Sequence, residues 1–204
     1  LNTYAFMDRK ITKQLIEWKN SAERKPLILA GARQVGKTYI LKKFGADEYD
    51  NVAYLNCDHN EQARNLFAEG YDIQRIITAI GALTHQNIKP GKTLIILDEI
   101  QEIKHGLTAL KYFCEDAPEY HVAVAGSLLG VNIIKMYPMD FEEFLMAKGK
   151  TDLLRVLQSR DVATISMLHT TLTSLLREYY FVGGMPESVA TYVKTLDPNA
   201  VRKV

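Results

Sequence analysis

Gly31-Ala32-Arg33-Gln34-Val35-Gly36-Lys37-Thr38 decides the fold. The stretch fits the phosphate-loop pattern G-x-x-x-x-G-K-[ST] at every fixed position. Leu27-Ile28-Leu29-Ala30 precedes it as a short apolar strand. A helix is predicted from Lys37 to Phe44, with Gly45 as its stop. Strand, glycine-punctuated loop and helix in that order are what the mechanism requires. The glycines let the backbone curl, so that several N–H groups point inward at phosphate oxygens, and the helix N-terminus adds its dipole. In such a loop the Lys37 ammonium reaches the β- and γ-phosphates, and the Thr38 hydroxyl ligates Mg²⁺. A chance Gly-rich turn with a capping threonine is the plain alternative.

A second element supports the first. Leu94-Ile95-Ile96-Leu97-Asp98-Glu99 places two carboxylates at the end of the most apolar strand of the chain. In a parallel sheet that edge is where ligands bind. Asp98 is expected to hold Mg²⁺, largely through water, and Glu99 to orient and deprotonate an attacking water. A solvated pair of loop carboxylates is the competing reading. Ala125-Gly126-Ser127 ends another strand with a polar side chain. Ser127 either senses the γ-phosphate or caps the next turn.

Outward from these motifs, strands and helices alternate. Residues 7–23 read as an amphipathic helix through Ile11, Leu15, Ile16 and Trp18. Further strands are predicted at 52–56, 121–125 and 132–136. Helices are predicted at 60–69 and 72–84 and around Leu107 to Cys114. That alternation implies a parallel sheet covered on both faces. Asp140 lies three residues before Glu143, a capping-box start to a helix over 140–147. Beyond 150 the pattern is helical only, ending in a helix over 187–194. Two domains follow: an α/β core over 1–148 and a helical, lid-like subdomain over 149–204. Only six residues separate Ala125 from Asn132, and a parallel crossover needs about a dozen. A segment is therefore expected to be missing near Gly130–Asn132.

Composition narrows the partners. The chain has 204 residues, 47% hydrophobic and 24% charged, which excludes a disordered chain or a disulfide-stapled miniprotein. Twenty-five Lys and Arg against 24 Asp and Glu leave +1, so no global basic field points to nucleic acid. Cys57 and Cys114 offer no disulfide framework. The longest apolar runs are strand-sized, and a cytoplasmic location is the default expectation. The five histidines show no metal-ligand spacing. Cys57-Asp58-His59 reads as a strand end and helix cap, since sequence neighbours rarely face one another as a catalytic set. Arg24, Arg75 and Arg177 are candidates for an arginine acting in trans, with nothing local to single one out.

With these residues placed, the chain resembles the bacterial and archaeal AAA-like ATPases related to the STAND group of P-loop switches. Their members usually carry a C-terminal domain of unknown function. The resemblance runs through the phosphate loop, Leu-Asp-Glu-Ile-Gln at 97–101 and Gly-Ser-Leu-Leu-Gly at 126–130. It continues through Tyr-Pro-Met-Asp-Phe-Glu-Glu-Phe-Leu at 137–145 and Tyr-Phe-Val-Gly-Gly-Met-Pro-Glu at 180–187. It implies an ASCE-type three-layer αβα sandwich with strand order 5-1-4-3-2 and a C-terminal helical subdomain. It assigns Gly31 to Thr38, with Tyr39 following, to nucleotide, Thr38 and Asp98 to Mg²⁺, Glu99 to water and Ser127 to γ-phosphate sensing. It also makes Pro186 an adenine-side contact within Gly184-Met185-Pro186. Set against the family, the longer stretch after Gly130 is expected to be missing here, and the chain is expected to be the ATPase part of a longer protein that carries the C-terminal domain.

The expected function is binding of Mg-ATP and its hydrolysis to ADP and phosphate, coupled to a conformational change. A nucleotide-binding switch or scaffold with little turnover is the alternative. A GTPase would need an Asn-Lys-x-Asp motif, and none occurs. Self-association is an open expectation, nucleic acid enters by family analogy alone, and no membrane partner is expected.

Overall fold

A computed structural model describes residues 8–203 apart from residues 69 and 126–131. By contact the chain divides into two compact units. One comprises residues 11–32 and 36–136, the other residues 1–10, 33–35 and 137–204.

The larger unit is built on five strands: β1 (Leu27–Ala30), β2 (Asn51–Asn56), β3 (Thr93–Asp98), β4 (His121–Ala125) and β5 (Asn132–Lys135). All pairings are parallel, in the order β2-β3-β4-β1-β5. Read from β5, that is the expected 5-1-4-3-2. The helices of this unit are α1 (Ile11–Asn20), α2 (Lys37–Glu48), α3 (Glu61–Ala68), α4 (Ile73–Thr84) and α5 (Gly106–Asp116).

Side-chain alternation sorts the two faces. Ile28, Ala53, Leu55, Ile95, Leu97, Val122 and Val124 pack with α3, α4 and α5 in one continuous core. The intervening residues face α1 and α2, where Trp18 lies edge-on to His121 and tilted against Phe44. Asp98 shares the parity of Leu94 and Ile96, so it projects on the α2 side. The phosphate-loop architecture is a direct product of that parity.

Gly45 does not stop α2. The helix runs to Glu48, because Gly45 is buried where a Cβ would stand 2.5 Å from Val52 Cγ2 and 3.2 Å from Leu94 Cδ2. Glycine here is selected by close approach of helix to sheet rather than by a turn. The N-terminal helix begins at Ile11, later than its polarity pattern suggested. The other predicted elements of the core fall within one or two residues of their expected ends. β5 pairs parallel with β1, not with β4. The segment suspected missing near Gly130–Asn132 falls largely outside the described residues.

The second unit contains α6 (Phe141–Ala147), α7 (Thr151–Ser159), α8 (Val162–Met167), α9 (His169–Val182), α10 (Pro186–Thr195) and α11 (Pro198–Val201). Its core is Met139, Phe144, Val182, Val189, Ala190, Tyr192 and Val201. Phe144 stacks on Tyr192 and tilts against Tyr179. This aromatic cluster groups α6 with the helices that follow, in the unit that takes in residues 137–204. The capping box is present: Glu143 N–H donates to Asp140 Oδ1, and Asp140 N–H to Glu143 Oε2.

Inside this unit Arg9 is buried and fully engaged. Its Nε donates to Glu143 Oε1 at 3.0 Å, Nη1 to the Val35 carbonyl at 3.2 Å and Nη2 to the Tyr137 carbonyl at 2.7 Å. A buried guanidinium with a carboxylate and two carbonyls has its charge paired and each of its three nitrogens bonded.

Candidate nucleotide site

The loop between β1 and α2 turns through two left-handed residues, Gln34 at φ 66° and Gly36 at φ 89°. Gly36 is the N-cap of α2 and supplies no side chain to cap it. The positive end of the α2 dipole therefore faces the loop with no N-cap side chain over it. Val35 is buried, while Ala32, Arg33 and Gln34 are exposed. Lys37 folds back over the loop, its Nζ donating to the carbonyls of Gly31 and Ala32 at 2.9 Å each. An ammonium on two neutral carbonyls is held in place without being neutralised.

Thr38, in the first turn of α2, donates its hydroxyl to Asp98 Oδ2 at 2.8 Å. Asp98 is buried, and the same oxygen accepts from Tyr54 Oη at 3.0 Å. Burial, then the adjacent Asp98 carboxylate, pushes the Tyr54 phenol above its ordinary range, so it keeps its proton and remains the donor. Lys42 Nζ sits 3.3 Å from the centre of the Tyr54 ring. Asp98's carbonyl accepts from Cys57 N–H at 2.9 Å, which ties the ends of β2 and β3 together. Burial, then Asp98, raises the Cys57 thiol to about 12, so this cysteine is a packed apolar group and not a nucleophile.

Glu99 follows in a left-handed conformation at φ 54°, with its N–H on the Ala125 carbonyl at 3.1 Å. That turn carries it out of the strand's alternation. Its carboxylate accepts from Gln101 Nε2, and Gln101 Oε1 is buried with no partner among the described residues.

Sequence reasoning brought Lys37, Thr38, Asp98 and Glu99 together, and all lie at the loop or the adjoining strand end. It missed Tyr54 and Lys42, which no motif marks. Alternation within β2 gave the one available signal for Tyr54. Ser127 lies outside the described residues. Pro186 opens α10 and is buried in the helical unit. Gly184 beside it accepts from Met139 N–H at 2.7 Å.

Residues 23–145, more than half of the chain, match the model of a family described as "AAA domain". The chain belongs to the AAA-domain family. The match spans the phosphate loop, the Asp98–Glu99 pair and all five strands in full, which makes this an AAA-like P-loop domain of ATPase type. No curated protein matches the sequence of this AAA domain. Among solved structures it is similar to a chain of the Drosophila ORC bound to DNA, at 14% identity and a TM-score of 0.44. That similarity covers 93% of this chain and 58% of the ORC chain, so the AAA domain spans little more than half of that neighbour. Among its described residues no helix is long and apolar enough to cross a membrane.

Proposed function

We propose that this AAA domain binds Mg-ATP on residues 31–38 and hydrolyses it to ADP and phosphate, with nucleotide state coupled to a conformational change. The observation that carries the reading is the Thr38–Asp98 hydrogen bond beside an uncapped helix N-terminus and a charged Lys37. Thr38 and Asp98 fit Mg²⁺ by the chemistry of the donor set. They are hard oxygens, few in number, leaving the other positions to phosphate and water as that ion prefers. Among the described residues no cluster of three or more His, Cys, Asp or Glu competes for a metal.

Gly31 to Tyr39 would hold the nucleotide, the N–H groups of the loop and of the first α2 turn cradling the phosphates. Lys37 moves from its two carbonyls to the β- and γ-phosphates. When bound, Mg²⁺ supplies further neutralisation of the phosphate oxygens as the terminal P–O bond breaks. Glu99 orients a water in line with that bond and accepts its proton. Ser127 senses the γ-phosphate, and Pro186 in Gly184-Met185-Pro186 contacts the adenine side. Residues 149–204 act as the lid. An arginine from a neighbouring copy would complete the site. Nucleic acid as a partner, kinship with the STAND switches and a C-terminal partner domain rest on sequence resemblance alone.

A regulatory switch with little turnover is the second reading, favoured by one contact. Glu99's carboxylate is engaged by Gln101 and must be released before it can act as a base. Phosphate release from Mg-ATP, measured for the wild type, Lys37→Ala and Glu99→Gln, separates the two. Turnover lost in both variants, with Glu99→Gln still binding ATP, supports hydrolysis. Binding without wild-type turnover, or ADP retained through purification, supports the switch. No binding overturns both.

A further inference from the structure

Asp98 Oδ2 accepts two hydroxyl protons, one from Thr38 and one from Tyr54. The phosphate-loop chemistry accounts for Thr38 but assigns nothing to Tyr54. The sheet delivers Tyr54 to this oxygen: β2 runs parallel to β3 with Tyr54 opposite Ile96 and Asn56 opposite Asp98. Tyr54 and Asp98 therefore project from the same face, the tyrosine two residues behind the carboxylate and long enough to reach it. β2 is an edge strand, and the side chain that carries the Tyr54 hydroxyl is half-buried. It nonetheless lies on a buried carboxylate, 3.0 Å away. Its ring is fixed in turn by Lys42, which lies in the same helix, α2, that begins at the phosphate loop.

A carboxylate with one bond to Thr38 can still rotate about its terminal torsion, which is broad for aspartate. A second donor from a different strand removes that freedom. Groups one step behind a metal ligand act in this way, and losing one typically costs ten- to a hundred-fold in metal affinity. We propose that Tyr54 is a positioning residue for the metal of the bound nucleotide: by fixing the Asp98 carboxylate it sets the Mg²⁺ concentration that nucleotide binding requires. The inference rests on the Mg-ATP reading of the loop and adds to it a residue and a measurable quantity.

The test is a Mg²⁺ titration of the affinity for a fluorescent ATP analogue, on the whole chain, for the wild type, Tyr54→Phe and Tyr54→Leu. Parallel arms hold EDTA in place of Mg²⁺ and record thermal unfolding without nucleotide. Tyr54→Phe keeps the ring under Lys42 and removes only the hydroxyl. It is expected to raise the Mg²⁺ midpoint about tenfold while leaving the EDTA affinity and the unfolding temperature at wild-type values. Tyr54→Leu is expected to raise the midpoint at least as far. A Tyr54→Phe midpoint equal to wild type overturns the role of Tyr54 and leaves the loop reading standing. Equal losses with and without Mg²⁺ also overturn it, because they mark a structural residue. A wild type that binds no analogue overturns the loop reading, and the role of Tyr54 with it.

Discussion

Thr38 and Asp98 stand 60 residues apart in the chain and are joined by a 2.8 Å hydrogen bond from hydroxyl to carboxylate. The bond links the first turn of α2 to the end of β3, so the phosphate loop and the acidic strand end are held in one register. Thr38→Val preserves the side-chain shape and removes the donor and the proposed metal ligand. We expect Mg-dependent ATP affinity to fall at least tenfold, the scale of losing a hydrogen bond to a charged group. Isothermal titration with Mg-ATP checks it; a variant of wild-type affinity would remove Thr38 from the site.

The Arg9–Glu143 pair gives a stability prediction. Both side chains are about 6% exposed, and Arg9 also holds the Val35 and Tyr137 carbonyls. Arg9→Met leaves the Glu143 charge buried and uncompensated, which should cost about 3–5 kcal/mol in urea denaturation. Combining Arg9→Met with Glu143→Gln should recover part of the loss, because the group left behind is neutral. Additive losses in the double variant would mean that the two charges do not act on each other.

How much of this was legible beforehand follows from the range of each interaction. The phosphate loop, the Asp98–Glu99 pair and the Asp140–Glu143 box are local patterns, and a local pattern is visible wherever the chain places it. Strand order came with the resemblance and not with periodicity. Gly45 misled because a glycine chosen for close packing looks the same as one chosen to end a helix. Tyr54, Lys42 and Arg9 were invisible for a different reason. Their partners lie on other elements, and only parallel register or tertiary packing brings them together. The grouping of α6 with the later helices was hidden in the same way, since Phe144 meets Tyr179 and Tyr192 only in the fold.

His121 should make stability depend on pH. It opens β4 in a buried position, with Nδ1 2.8 Å from Tyr49 Oη. Burial, with Arg24 and Lys19 nearby, lowers its pKa from 6.5 to about 4. The unfolded chain therefore takes up the proton first as pH falls. The stabilisation is complete above about pH 6.5 and is lost progressively towards pH 4, amounting to roughly 3 kcal/mol. Urea midpoints measured across that window should fall steeply for the wild type and more gently for His121→Gln, which retains a partner for Tyr49. Parallel profiles would assign the dependence to other groups.

Gly184 offers a steric test. A Cβ there would lie 2.3 Å from the Met139 carbonyl oxygen and 3.1 Å from Pro138 Cβ. The obstacle is backbone, and Met139 N–H is bonded to the Gly184 carbonyl at 2.7 Å, so neither segment of this contact can step aside cheaply. Gly184→Ala should destabilise the helical unit by about 2 kcal/mol or more, read as a lower urea midpoint. Wild-type stability would show that the contact is slack.

The Arg9–Glu143 bond also orders events during synthesis. Its partners are 134 residues apart, and a ribosome adding about 5–20 residues each second takes on the order of ten seconds to cover that interval. Until Glu143 is added the nascent arginine lacks its carboxylate partner, although β1 to β5 have by then been synthesised. The buried pair is thus closed late, by a contact that no segment made before Glu143 can supply.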